Sequence, residues 1–282
     1  MIRQPVGIRS LAVSFPSIRR TNDYYRENYP KLIEKTRQET LAKVFSATES
    51  TSDSREFDQE MMPYLSDPFR GTVERWILGP GESSLTLEYR AASDALRAAN
   101  LSPEEVDLML VASMQPEQIG IGNASFLCRQ LGLRGAAWNI ESMQSAALVG
   151  LQTACTFIRA GEYRNVLVVV SCTYSRFLDE DDTLSWFLGD GAGAFVVGSL
   201  EADQGILGTK IIHTAATCDA YSYQLTKDMQ DNPRICLQAG KSMSKLIRDH
   251  TKRFLCDCIE GTAAAACLTL NQIDFFVFST PF

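Results

Sequence analysis

Thiols and imidazoles are the groups in this sequence best suited to nucleophilic, metal-binding or acid–base chemistry. There are eight cysteines and two histidines among 282 residues. The cysteines, at 128, 155, 172, 218, 236, 256, 258 and 267, keep no regular spacing. A disulfide framework belongs to short secreted chains, so reduced thiols are expected here. Cys256-Asp257-Cys258 is the only tight pair, and a metal site would need further ligands beside it; His250 alone does not supply them. His213 and His250 stand outside any catalytic spacing and read as solvated or core histidines. The run Gly189-Asp190-Gly191-Ala192-Gly193 could suggest a phosphate cradle. No Lys-Ser/Thr follows it as a P-loop requires. Ala194 to Val197 after it reads as a strand, whereas a dinucleotide fingerprint opens a helix.

The elements that must position such groups are legible in the apolar periodicity. Pro5–Val13 alternates as a strand, and residues 22–45 are helical in pattern. Residues 46–60, rich in Ser, Thr and acids, read as a surface loop, and Asp67–Gly71 as a turn. Residues 84–99 form a helix ended by Asn100-Leu101-Ser102-Pro103, followed by a buried strand over 106–112. A helix over 123–133, a short strand over 135–140 and a helix from Ser145 to Ala160, stopped by Gly161, come next. Val166–Ser171 and Ala194–Val197 are further buried strands. Residues 215–233 read as a linker, 237–266 as a helix and 273–278 as a closing strand. Helices alternating with nearly continuous apolar strands predict an α/β layered fold.

Composition narrows the function classes. The formal net charge is −7, with 45% hydrophobic and 22% charged residues. No basic stripe appears, so a nucleic-acid partner is not expected. No apolar run approaches the roughly 18 residues of a membrane span, and residues 1–5 do not open onto a secretory h-region. A soluble cytoplasmic protein without membrane association or metal is the expectation.

Three segments resemble ketoacyl synthases of the synthase III type, in the thiolase superfamily. Trp138 to Val169 matches that family's short strand, tight turn, helix, glycine and buried strand without a gap; residue 144 falls on the family's nucleophilic cysteine, and it is Gln144. Trp186 to Ala194 is similar to the family's FGDGAGA signature. Asn271 to Phe282 is similar to the strand that precedes the family's catalytic histidine, whose position is taken by Ser279. The resemblance implies a thiolase-like fold of duplicated αβαβα layered halves, with residues 1–200 the N-terminal half and 201–282 the start of an incomplete C-terminal half. It also implies acyl-CoA or acyl carrier protein as substrate, no other cofactor, and a homodimer or a heterodimer with a synthase III-like subunit, in fatty-acid or polyketide-type biosynthesis or secondary metabolism.

The departures from the family pattern bear on the chemistry. A carboxamide cannot attack a thioester, so Gln144 removes covalent acylation at that position. Three functions stay open. One is a catalytically degenerate subunit supporting an active synthase. A second is an acyltransferase or malonyl decarboxylase that uses Gln144, as glutamine-bearing loading synthases decarboxylate malonyl groups. The third is a truncated product without independent function.

Overall fold

The computed structural model describes residues 4–46, 63–64, 67–202, 204–212, 215–218, 220–227, 231–240 and 243–278, except the side chains of 40–46 and 243–248. In chain order the strands and helices begin with β1 (Val6–Ser14), β2 (Ile18–Thr21), α1 (Asn22–Asn28), α2 (Pro30–Ser46) and β3 (Glu74–Ile77). Next come α3 (Ser84–Ala98), β4 (Leu108–Ser113), α4 (Ala124–Leu131), β5 (Ala136–Asn139), α5 (Ala146–Arg159) and β6 (Val166–Thr173). The chain continues with β7 (Asp190–Ser199), β8 (Tyr221–Lys227), β9 (Pro233–Ala239) and α6 (Met243–Ala265). The described residues fall into two compact units, one within 4–15, 81–173 and 191–278, the other within 16–80 and 174–190.

The first unit is built on a five-stranded sheet in the order β1-β7-β6-β4-β5. β4 pairs in parallel with both β5 and β6, while β1 runs antiparallel to β7. Central parallel strands are covered on both faces, which is why Leu108–Val111 and Val166–Val169 are apolar without interruption and buried throughout. On one face, α5 packs Ala154, Cys155 and Ile158 against Leu108, Leu110, Val166, Val168 and Phe195. Cys155 is thus a core residue, and burial pushes its thiol pKa up, away from reactivity. Past α5 the chain reverses at Gly161, whose φ of +80° suits a residue without a Cβ. On the other face lies α3, its first turn capped by Ser83 Oγ, which accepts from the Thr86 N–H at 3.2 Å.

The second unit closes around Tyr25, Phe69 and Trp186, all fully buried. The Phe69 and Trp186 ring centroids are 5.1 Å apart, and Tyr25 OH donates to the Ser185 carbonyl at 2.8 Å. The Arg75 guanidinium lies 4.9 Å from the Tyr25 ring centroid and donates to the Trp186 carbonyl. Asp190 accepts from the Leu78 N–H at 2.7 Å and from the Ser175 N–H at 2.9 Å. A Cβ on Gly189 would come within 3.0 Å of the Trp76 carbonyl oxygen, so the first half of the glycine signature is a close-packing device.

Several sequence expectations need correction. The helical stretch at 22–45 divides at Tyr29-Pro30, because the residue before a proline is driven out of helical conformation. The strand expected at 194 already begins at Asp190, so most of the glycine signature is itself strand. The linker expected at 215–233 contains β8, which pairs antiparallel with β9 from Tyr221↔Ala239 to Lys227↔Pro233. The following helix starts at Met243 rather than 237. Residues 273–278 take no regular structure; Phe275 and Val277 are 80% and 86% exposed. An apolar run becomes a strand only where a neighbour accepts its ladder hydrogen bonds. The loop expected at 46–60 lies, from residue 47 on, outside the described residues.

Candidate functional site

Gln144 stands at the head of α5, where the turn from β5 enters the helix. Glu141 Oε1 accepts from the Met143 N–H at 2.8 Å, and Ser142 O accepts from the Ser145 N–H at 3.0 Å, closing a 3₁₀ turn over Met143–Ser145. Met143 has a φ of +47°, a left-handed conformation that costs a non-glycine residue roughly 1–2 kcal/mol. The resulting elbow presents Gln144, which is exposed, on the wall of a cavity of about 280 Å³.

The cavity is predominantly apolar. Val13 comes from the end of β1 and Phe15 from just past it, Met114 follows β4, and Val170 and Cys172 belong to β6. Gly191 and Gly193 contribute bare backbone where side chains would fill the space. Polar chemistry is confined to the Gln144 amide, the backbone near Ser171 and the Cys172 thiol, whose Sγ lies 3.4 Å from Met114 Sδ. Among the described residues lining it there is neither an imidazole nor a carboxylate. Such a site can hold an apolar acyl group and offer an amide N–H to a carbonyl oxygen. The N-terminal end of α5 adds a favourable potential for negative charge on that oxygen.

Of the two residues assigned by resemblance, Gln144 therefore lies on a cavity at a helix head. Ser279 lies outside the described residues, as does His213. His250 is on α6, half-buried and stacked on Phe254 with ring centroids 5.6 Å apart. Among the described residues no group of three or more His, Cys, Asp or Glu could hold a metal ion. No helix of the described residues is long and apolar enough to cross a membrane. Cys172, one of the cysteines expected above to be a reduced thiol, belongs to the cavity wall. Its signal was its place at the carboxyl end of a buried parallel strand, where α/β sheets bind ligands.

A second polar feature escaped sequence reasoning altogether. Glu88 on α3 is fully buried, and its three hydrogen-bond partners are neutral. Oε1 meets the hydroxyls of Ser113 and Ser171, the latter at 2.5 Å, and Oε2 accepts from Asn123 Nδ2 at 2.9 Å. Alternation along β6 sends Ser171 Oγ to this face and the Cys172 thiol to the cavity face. Burial raises the Glu88 pKa, an effect offset in part by Ser113, Ser171 and Asn123 and reinforced by Glu117. The folded chain thus holds this proton more tightly than the unfolded chain. Its contribution to stability is complete below the unfolded carboxylate pKa and is lost as pH rises through the folded value. Glu88→Gln is expected to flatten that downward slope, since an amide can donate to both serines while accepting from Asn123. Urea unfolding of both proteins between about pH 4 and pH 8 checks this; parallel pH profiles would refute it.

Comparisons with known proteins converge on one family. The model of 3-Oxoacyl-[acyl-carrier-protein (ACP)] synthase III matches residues 139–226, a stretch that takes in Gln144, Cys172 and the glycine run. A Brucella suis protein named β-ketoacyl-[acyl-carrier-protein] synthase III is 32% identical over 224 residues, covering 73% of this chain and 65% of its own length. The chain thus spans somewhat less than two thirds of that curated relative. The crystal structure of 3-oxoacyl-[acyl-carrier-protein] synthase III from Aquifex aeolicus VF5 superposes with a TM-score of 0.67 at 25% identity, over 95% of this chain and 74% of that one. A synthase III from Thermus thermophilus gives a TM-score of 0.71 at 20% identity, over 95% of this chain and 74% of that one, a likeness of fold.

Proposed function

Because the chain is a β-ketoacyl-[acyl-carrier-protein] synthase III-like protein with the α/β thiolase-like fold, we propose that it binds an acyl thioester without being acylated. In this reading it is a catalytically degenerate subunit that supports an active synthase III-type partner in cytoplasmic fatty-acid or polyketide-type biosynthesis. One observation carries the reading: a carboxamide, Gln144, occupies the helix-head position on an apolar cavity where a sulfur nucleophile would be needed. The partner would pair along β5, the edge strand of the sheet, whose residues are largely exposed, Trp138 among them. Acyl carrier protein or coenzyme A would deliver the acyl group.

The test combines chemistry and association. After incubation with acetyl-CoA or malonyl-carrier protein, intact mass is expected to show no acyl adduct and product analysis no loss of carbon dioxide. Co-expression with a synthase III from the same genome is expected to yield a stable complex. A covalent adduct on the unaltered chain, or a chain that joins no synthase, would overturn the reading. Acetyl-carrier product that disappears in Gln144→Ala would instead establish the decarboxylase alternative, which the helix-head amide favours as an oxyanion donor.

A further inference from the structure

Most glycines of the first unit answer to a backbone turn or to close packing. Gly161 needs its positive φ, and a Cβ on Gly150 of α5 would come within 2.8 Å of Val168 Cγ1. Gly191 and Gly193 answer to neither. Both lie inside β7, and neither has a positive φ. A Cβ on either would stand 3.7 Å or more from every atom beyond its chain neighbours, an ordinary van der Waals separation. Alanine would fit both places, and glycine inside a strand weakens it. A strand glycine that the chain itself does not require marks the close approach of something else.

The surroundings show what shape is left for it. β7 lies between β1 and β6, and alternation sets Gly191 and Gly193 on one face while Ala192 is buried on the other. Val13 pairs with Gly193 across the ladder. The side chains nearest the two Cβ positions are Phe15 at 3.7 Å and Val170 at 3.8 Å, and both line the cavity that Gln144 heads. The glycines thus floor a trough of roughly 7 Å along β7. Val13 and Phe15 wall it on one side, Val170 and Cys172 on the other. An apolar trough that follows a strand suits a straight chain better than a branched one. A methylene takes about the space of a water molecule, ~30 Å³. The cavity of about 280 Å³ therefore holds a thioester carbonyl and a chain of roughly six to eight carbons in all.

We propose that Gly191 and Gly193 set the acyl specificity of this chain, opening the trough along β7 to a straight acyl group of about six to eight carbons. The proposal rests on the acyl-thioester reading above and adds the class of acyl group and the residues that select it. The missing side chains cost the strand some stability, and the space they leave is occupied by the ligand.

Calorimetric titration with acetyl-, butyryl-, hexanoyl-, octanoyl- and dodecanoyl-CoA tests the proposal. In the unaltered chain affinity is expected to rise roughly two- to fourfold per added methylene up to about octanoyl, the gain from burying each one, and then to level off. In Gly193→Val the preference for octanoyl-CoA over acetyl-CoA is expected to fall on the order of tenfold, the burial of about two methylenes. Gly193→Ala should give a smaller loss in the same direction, with a urea unfolding midpoint no lower than that of the parent. If the valine variant does not fold, the alanine variant carries the test; failure of both to fold would overturn the proposal, since the fold would then require the glycine. An unchanged chain-length preference in the folded variants would overturn it as well. A flat affinity series in the unaltered chain would overturn the acyl specificity and leave the acyl-thioester reading standing. An unaltered chain that binds none of these thioesters would overturn both.

Discussion

Replacing Gln144 by cysteine, in a Cys172→Ala background, is expected to give a chain that becomes acylated when incubated with acetyl-CoA. The new thiolate would attack the thioester carbonyl, coenzyme A would leave as its thiolate, and the chain would gain one acetyl group in place of a proton. Two features favour the reaction. The elbow at Met143 already directs residue 144 to the cavity, and the N-terminus of α5 lowers the pKa of a thiol placed there. Relative to the glutamine parent, the acylation rate should rise on the order of 10³-fold or more, as expected when a nucleophile is supplied to a site otherwise able to bind. Removing Cys172 excludes the thiol already on the wall as the acceptor. Intact-mass analysis over time reads the result. A folded variant that stays unmodified at millimolar acetyl-CoA would mean that residue 144 does not reach the acyl group.

The second large effect concerns stability. Trp186→Ala should destabilise the second unit by about 3–5 kcal/mol, the usual cost of emptying a large aromatic site. Trp186 is fully buried against Phe69 and Tyr25, and these three rings are that unit's buried cluster. Trp186→Phe gives the control. It retains a ring in the cluster and removes an indole Nε1 that has no hydrogen-bond partner among the described residues, so its cost should be well under half that of alanine. Guanidinium unfolding followed by far-ultraviolet circular dichroism measures both, independently of the lost indole fluorescence. Equal destabilisation by the two substitutions would show that ring packing is not what holds this cluster.

The elements that carry the cavity were legible because their patterns are strong. Val166–Val169 could only be a buried strand, and Ser145 to Ala160 closed by Gly161 could only be a helix with a left-handed exit. What was missed has physical reasons. In the hairpin of β8 and β9 only Tyr221 to Thr226 alternates apolar and polar residues; β9 does not, and with Leu225 77% exposed the pair buries too little for a strong strand signal. Phe275 to Phe278 is the opposite case, strand-like in composition but without a ladder to join. Glu88 drew no reading from the sequence, although helical spacing sets it on the same face as Ser84, Ala91, Ala92 and Ala95. A run of small residues around one carboxylate was the available sign.

The backward bend at Met143 gives the amide beside it a different status from that of an ordinary surface glutamine. A methionine in a left-handed turn holds only while its surroundings enforce it, here through Glu141, Ser142 and the first turn of α5. The backbone on which the carboxamide is mounted is therefore as rigid as a nucleophile's seat would have to be. A guest in the cavity meets a group whose starting direction is set before it arrives, and the entropy of aiming that group has already been spent in folding.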